Sequence, residues 1–238
     1  VATSLTLPAP RAGTAPAPRA AAPRSSKGIR TRARLLDAAR SVFEDAGFVD
    51  ARVSDISERA GLSHGSFYHY FDSKEQIFLE LAADLDERLT APLGEIILAP
   101  SSDVAAVDRL RTALRRHFES YRAEARLMGV VEQASRYDPQ ISVERMRRHR
   151  RYAAQIEASI RQLQQRGMAD PALDPALAAA ALGSVTYRFA ELWLVQGAVS
   201  CTLDEATDQI TTFLANALQL RPATDPHTRR TRTAKGPR

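Results

Sequence analysis

Apolar residues recur at helical spacing in nine segments of this chain, and no strand-like alternation persists between them. Leu35, Leu36, Ala39, Val42, Phe43 and Ala46 form a first stripe that stops at Gly47. A short second helix turns Val53, Ile56 and Ala60 inward and ends at Gly61. A brief third spans about residues 63–70, before a stop at Asp72-Ser73. Ser73 and Gln76 then have capping-box spacing and open a helix, 74–91, with Ile77, Phe78, Leu81 and Leu85 on one face.

The second half predicts longer helices. One carries Val104, Val107, Leu110, Leu114, Phe118 and Tyr121 inward, and a short apolar segment follows from Leu127 to Val131. Asp138-Pro139 suits a first helical turn, and Gly167 suits that helix's end. Asp174-Pro175 opens the next, with Leu177, Ala181, Val185, Phe189, Leu192 and Trp193 inward and Gly197 near its close. Thr202 and Glu205 form another capping box ahead of Ile210, Phe213, Leu214, Ala217 and Leu218. The fold class is all-α: a compact three-helix head, then a larger bundle.

Charge sharpens this division. The formal net charge is +5, yet residues 1–35 carry seven basic residues and no acid, and residues 221–238 carry six against Asp225 alone. The stretch between is therefore acidic, at −7. Basic ends on an acidic body fit either solvated arms or contact with a polyanion. Residues 1–24, rich in Ala and Pro, and 221–238 are expected to be disordered. The lone Cys201 excludes a disulfide framework and a multi-thiolate metal site. No apolar run approaches the roughly 20 residues of a membrane span, and the N-terminal stretch lacks an apolar signal core. A cytoplasmic location is expected, with no membrane partner and no cofactor.

The informative stretch runs from Val53 to Lys74. A helix-turn-helix needs a short helix, a tight turn and a second helix with one exposed face. Ala60 allows close approach, Gly61 takes the turn, Leu62 plugs it and Ser63 caps the next helix. Phe67, Tyr70 and Phe71 share the inward face. Gly65, Ser66, Tyr68 and His69 then point outward, with His64 at the leading end. Gly65 removes a side chain where the helix would press into a groove. Gly61-Leu-Ser63-His-Gly65 also spells the elbow of serine hydrolases, but that elbow requires a preceding strand over a parallel sheet. Here a helical segment precedes it. His64 and His69, five residues apart, do not share a face as metal ligands would.

Ala60-Gly61-Leu62-Ser63, Phe67-Tyr68-His69-Tyr70-Phe71 and Ser73-Lys74-Glu75, with Gly47-Phe48 and Asp55-Ile56 upstream, resemble the TetR family of regulators in order and spacing over about residues 28–80. That resemblance implies a DNA-binding repressor, with Tyr68 and Lys74 on phosphates and Ser63, His64, Ser66 and His69 near bases or backbone. Arg52 is the candidate for a phosphate contact that a threonine usually makes in this family; Ala51 stands in its place, and Asp50 is the candidate helix cap. The basic segment from Arg24 to Arg34 would add phosphate or minor-groove contacts. The implied organisation is 25–72 for DNA binding and 73–220 for effector binding and dimerisation, the homodimer forming through residues 175–220.

The expected partners are double-stranded operator DNA and a small, largely apolar effector. Phe118, Tyr121, Met128, Tyr187 and Trp193 are its candidate pocket. The basic run Arg145, Arg147, Arg148, Arg150 and Arg151, with His149, reads first as a solvated, salt-bridged face. The alternative is a site for an anionic effector such as an acyl-CoA. Two competing functions stand beside the repressor: a DNA-binding dimer without effector response, and an enzyme using the C-terminal pocket, for which no acid–base or nucleophile constellation is present.

Overall fold

The computed structural model describes residues 25–97 and 105–221, and within them it contains nine helices and no strand. Val104, the expected arm 1–24 and all but the first residue of the expected arm 221–238 lie outside the described residues. Arg221, the first residue of the expected C-terminal arm, is described, and its N–H donates to the Met168 carbonyl (2.9 Å).

Helix α1 (Ser26–Asp50) opens where the Ser25 hydroxyl accepts from the Gly28 N–H. It breaks at Gly47, which sits at φ 76°, where the apolar stripe stops. The turn after the break carries Phe48 and Ala51 into the core, while Ala46 is exposed rather than inward. Arg52 is the N-cap residue of α2 (Val53–Arg59), and no side chain caps that helix. Asp50 therefore does not cap it: it lies two positions upstream, still on the α1 side of the corner.

Helix α2 ends as a Schellman turn, with the Leu62 N–H on the Ser57 carbonyl and the Gly61 N–H on the Glu58 carbonyl (both 2.9 Å). Gly61 takes φ 63° there, which a side chain adopts only with strain. Helix α3 (His64–Phe67) is short and is followed by turn residues to Tyr70. Leu35, Ala39, Phe43, Ile56, Phe67 and Phe71 close the head core with Phe78 of α4 (Lys74–Ile97). Phe78 meets the ring of Phe43 edge-on at 4.9 Å and lies 4.8 Å from that of Phe48. Each such burial stabilises by about 1.5–3 kcal/mol. Tyr70, expected inward, is half-buried.

Helix α4 runs six residues beyond its expected end and continues from the head into the body, where Leu85 and Leu89 join the core. It packs on α5 (Ala106–Ala123) and α7 (Pro139–Gln165). Helix α6 (Ala125–Tyr137) lies between α1 and α7; α8 (Pro175–Leu194) rests on α7, and α9 (Leu203–Ala217) on α5. Asp138 caps α7 through the Gln140 and Ile141 N–H groups, Asp174 caps α8, and the Thr202–Glu205 box at α9 is complete. Val107, Leu177, Ala181, Phe213 and Ala217 were expected inward, and all five are exposed. On α8 the buried face is instead built from small and polar residues, Ala179, Gly183, Thr186 and Ala190 with Leu182, which let α8 approach α7 closely.

Candidate nucleic-acid interface and body cavity

The Ser63 hydroxyl caps α3, accepting from the Ser66 N–H at 3.3 Å and lying 2.8 Å from the Ser66 hydroxyl. Phe67 and Phe71, fully buried, anchor the element from beneath. The opposite side is therefore committed to solvent. Ser63, His64, Gly65 and His69 are exposed, Tyr68 is 50% exposed, and Ser66 is half-buried. The His64 and Tyr68 rings meet edge-on at 5.3 Å. A Cβ added at Gly65 would meet nothing within 4 Å, and this glycine is helical. Neither packing nor backbone conformation within the chain requires glycine there.

Arg52 is exposed at the start of α2. Lys74 is more tightly engaged than its sequence suggests: its ammonium donates to the Phe48 (2.8 Å) and Val49 (3.1 Å) carbonyls and sits 4.9 Å from the Phe48 ring. It ties the start of α4 to the end of α1, and the third N–H of an ammonium remains for another acceptor. Arg32 and Arg34 of the basic segment also serve the head. Arg32 pairs with Glu80 and covers the Phe71 ring at 4.7 Å, and Arg34 donates to the Ala60 carbonyl at the turn.

In the body, a cavity of about 770 Å³ opens between α4, α5, α6, α7 and α8. Tyr121, Met128 and Tyr187 line it, as three of the candidate pocket residues. Phe118 and Trp193 do not; they pack together behind it, their rings 5.8 Å apart. Arg145, Arg147, His149 and Arg151 border the cavity from α7; Arg147, which pairs with Glu144, and Arg151 are exposed as expected of a solvated, salt-bridged face, whereas Arg145 and His149 are half-buried. Arg145 pairs with Glu132 at 2.5 Å, donates to the Ser135 hydroxyl and lies over the Tyr187 ring at 5.6 Å. The Tyr187 hydroxyl donates to Glu132 (3.3 Å), and burial pushes this phenol up to about 12 and that of Tyr121 higher still. Both remain neutral donors at physiological pH.

His117, on α5, was not foreseen. It is 7% exposed, lines the cavity and makes no well-formed hydrogen bond through either ring nitrogen; the Leu89 backbone approaches it only loosely. Burial drives its pKa down to about 4, so the ring is neutral. The signal was a polar residue inside the apolar spacing of Leu110, Leu114, Phe118 and Tyr121. A second, smaller space of about 60 Å³ adjoins the cavity at Tyr152 and Thr186 and is walled by Leu110, Ile156, Leu182 and Leu214.

The head is stitched to the body by charge. Glu124, at the start of α6, accepts from Arg40 of α1 (2.6 Å) and pairs with Arg88 of α4 (3.3 Å). Arg126 reaches back to Asp45 at 3.1 Å. No helix among the described residues is long and apolar enough to cross a membrane.

A capped helix-turn-helix with a bare outer face, joined by a continuous helix to a hollow helical body, defines a DNA-binding transcriptional regulator. Residues 35–81 match the family model described as bacterial regulatory proteins, tetR family. The DNA-binding head of this chain is thus similar to that of the TetR family of transcriptional regulators. The chain is 52% identical over 73 residues to the regulator YdgC of Bacillus subtilis (strain 168), a match covering 31% of this chain and 37% of that protein. A longer match, 27% identical over 158 residues, is to the regulator UidR of Escherichia coli (strain K12) and covers 66% and 78% of the two chains. A TetR-family regulator from Mesorhizobium loti MAFF303099 shares the fold with a TM-score of 0.67 at 19% identity, over 81% of this chain and 98% of that one.

Proposed function

We propose that this chain is a dimeric repressor, released from a two-fold operator by a small molecule that occupies the body cavity. The bare outer face of α3 carries this reading: Gly65 has no role inside the chain, and a helix entering the major groove gains from its absent side chain. Ser63, His64, Ser66 and His69 approach bases or backbone, and Arg52, Tyr68 and Lys74 approach phosphates. Leu177 (74% exposed) and Phe213 (54%), on α8 and α9, support dimerisation through residues 175–220, because a second copy would cover them. The two recognition helices then sit about 34–36 Å apart, or a multiple of that.

Effector binding changes this spacing through α4 and α6, which both line the cavity and meet at Glu124. Coupling of about 1–3 kcal/mol changes operator affinity roughly 5- to 150-fold, and DNA weakens the effector by the same factor. The test is selection of bound sequences from a random duplex pool at fixed salt, followed by a metabolite screen for release. The expected product is an inverted repeat with two half-sites. A pool that shows no enrichment, or a single unpaired site, contradicts the reading.

A further inference from the structure

The body cavity carries more chemistry than a largely apolar ligand needs. Its α7 wall presents Arg145, Arg147, His149 and Arg151. Arg145 is held by Glu132, and Arg147 pairs with Glu144 on its own helix. Arg151 makes no ion pair among the described residues, and the His149 ring rests edge-on against Tyr187 at 5.9 Å. The acids at the cavity, Asp86 and Glu87, come from α4, on a different wall. A negatively charged head group is thus favoured at α7, where guanidinium forks match an oxyanion's geometry.

His117 is a second, independent pointer to a ligand. A buried imidazole without a proper partner is costly, and packing alone is better served by an apolar residue of similar size. It lines the cavity from α5, while the adjoining apolar space begins at Tyr152 and Thr186 and runs between α5, α7, α8 and α9. The walls therefore differ in kind: cations on α7, one neutral donor–acceptor on α5, and beyond them a space lined mostly by hydrocarbon, with the buried Arg109 and Ser159 also at its walls.

Resting on the reading of this cavity as the effector site, we infer that the effector is an amphiphile with an oxyanion head held at Arg147 and Arg151, one turn apart on α7, a hydroxyl or carbonyl within its body bonded to His117, and an apolar tail lodged past Tyr152 and Thr186. His117 determines specificity, selecting ligands that carry that internal polar group. The head is a carboxylate or a phosphate monoester, which present the same charge to the same forks.

The test titrates the full-length protein calorimetrically with eight- and ten-carbon alkanoates, alkyl phosphates, alkanols and alkyltrimethylammonium salts. At one length or both, an anion binds at least tenfold more tightly than the alcohol, and the better anion identifies the head. Arg147→Ala with Arg151→Ala removes that advantage and spares the alcohol. Among decanoates hydroxylated at carbon 3, 6 or 10, at least one gains a further fivefold, and His117→Phe abolishes this gain while leaving decanoate unchanged. The same His117→Phe protein, free of ligand, melts about 2–4 °C higher, because an unsatisfied polar group is gone.

Anions no better than alcohols at both lengths, or cations the best binders, overturn the oxyanion assignment. Hydroxylated decanoates no better than decanoate overturn the role of His117. Operator binding is measured on the same preparation. If it is intact while the anion preference is missing, this inference alone fails; if DNA binding is missing, the repressor reading fails.

Discussion

The head and the body solve opposite problems with the same helices. In the head, every large aromatic from Phe43 to Phe78 except Tyr68 and Tyr70 is buried, and polar groups on α3 are turned outward. In the body, Arg145, His117, Tyr121 and Tyr187 are turned toward an internal space, while Leu177 and Phe213 are left outside. A reader of DNA keeps its chemistry on its surface, over a core that does not yield. A receptor for a small molecule encloses its chemistry and leaves space beside it, so its core is less well satisfied.

The contrast predicts where truncation hurts most. Phe71→Ala removes a fully buried ring that also carries Arg32 on its face, and is expected to destabilise the head by about 3–5 kcal/mol. Met128→Ala, at the edge of an existing cavity, is expected to cost less than half as much, by denaturant unfolding of both variants. Equal losses would mean that the body core is as tightly filled as the head.

Acid should separate the two regions next. His117 is held at about 4 in the folded protein, against 6.5 for a free imidazole. The unfolded chain therefore binds more protons between these values. The stability tied to this group is complete above about pH 6.5 and is lost as pH falls toward 4, by on the order of 3 kcal/mol. Asp45, Asp204 and Glu205, all with lowered pKa values through hydrogen bonds with Arg59, Arg115 and Thr202 respectively, add loss in the same direction. His117→Phe should flatten the profile between pH 4 and 6.5 and leave the carboxylate part. An unchanged profile would show that the imidazole is not buried as described.

The exposed apolar face ranks third. Phe213→Asp, with Leu177→Asp, is expected to cost an interface about 2 kcal/mol or more and to shift the mass seen by light scattering toward the protomer. The α-helical signal should persist, since neither side chain is in the core. A dimer of undiminished affinity would place the interface elsewhere.

These regions also differed in how far the sequence could be read. In the head, position-specific chemistry left little freedom: Gly61 must turn, Ser63 must cap, and Phe67 and Phe71 must point the same way. Asp50 misled because the α1–α2 corner is set by burial of Ala51 and an extended Arg52, without any side-chain cap. In the body, helical periodicity located the helices but found only part of the inward face of α8: Leu177 and Ala181 are exposed, while Val185, Phe189 and Trp193 pack against the core. Its alanine-rich sequence offers a second stripe beside that one, and the second is the more deeply buried. The winning stripe buries Thr186 and Glu191, whose polarity is met by the Leu182 carbonyl and by Arg188 and Gln196. The cavity was beyond reach for a similar reason: Arg145 to Arg151 looks like any solvated run until α4, α6 and α8 are placed around it. His117 was legible as a polar interruption of an apolar stripe, although spacing alone does not reveal that its nitrogens lack partners.

The smallest stability effect belongs to the most telling position. Gly65→Ala adds a methyl group to an exposed helical site with nothing near it, so folding should be unchanged or improved by roughly 0.5–1 kcal/mol. Measured side by side on the selected operator at fixed salt, this variant should keep or raise the melting temperature and bind at least tenfold more weakly than the parent. Operator affinity equal to that of the parent would contradict the claim that the outer face of α3 lies against the duplex.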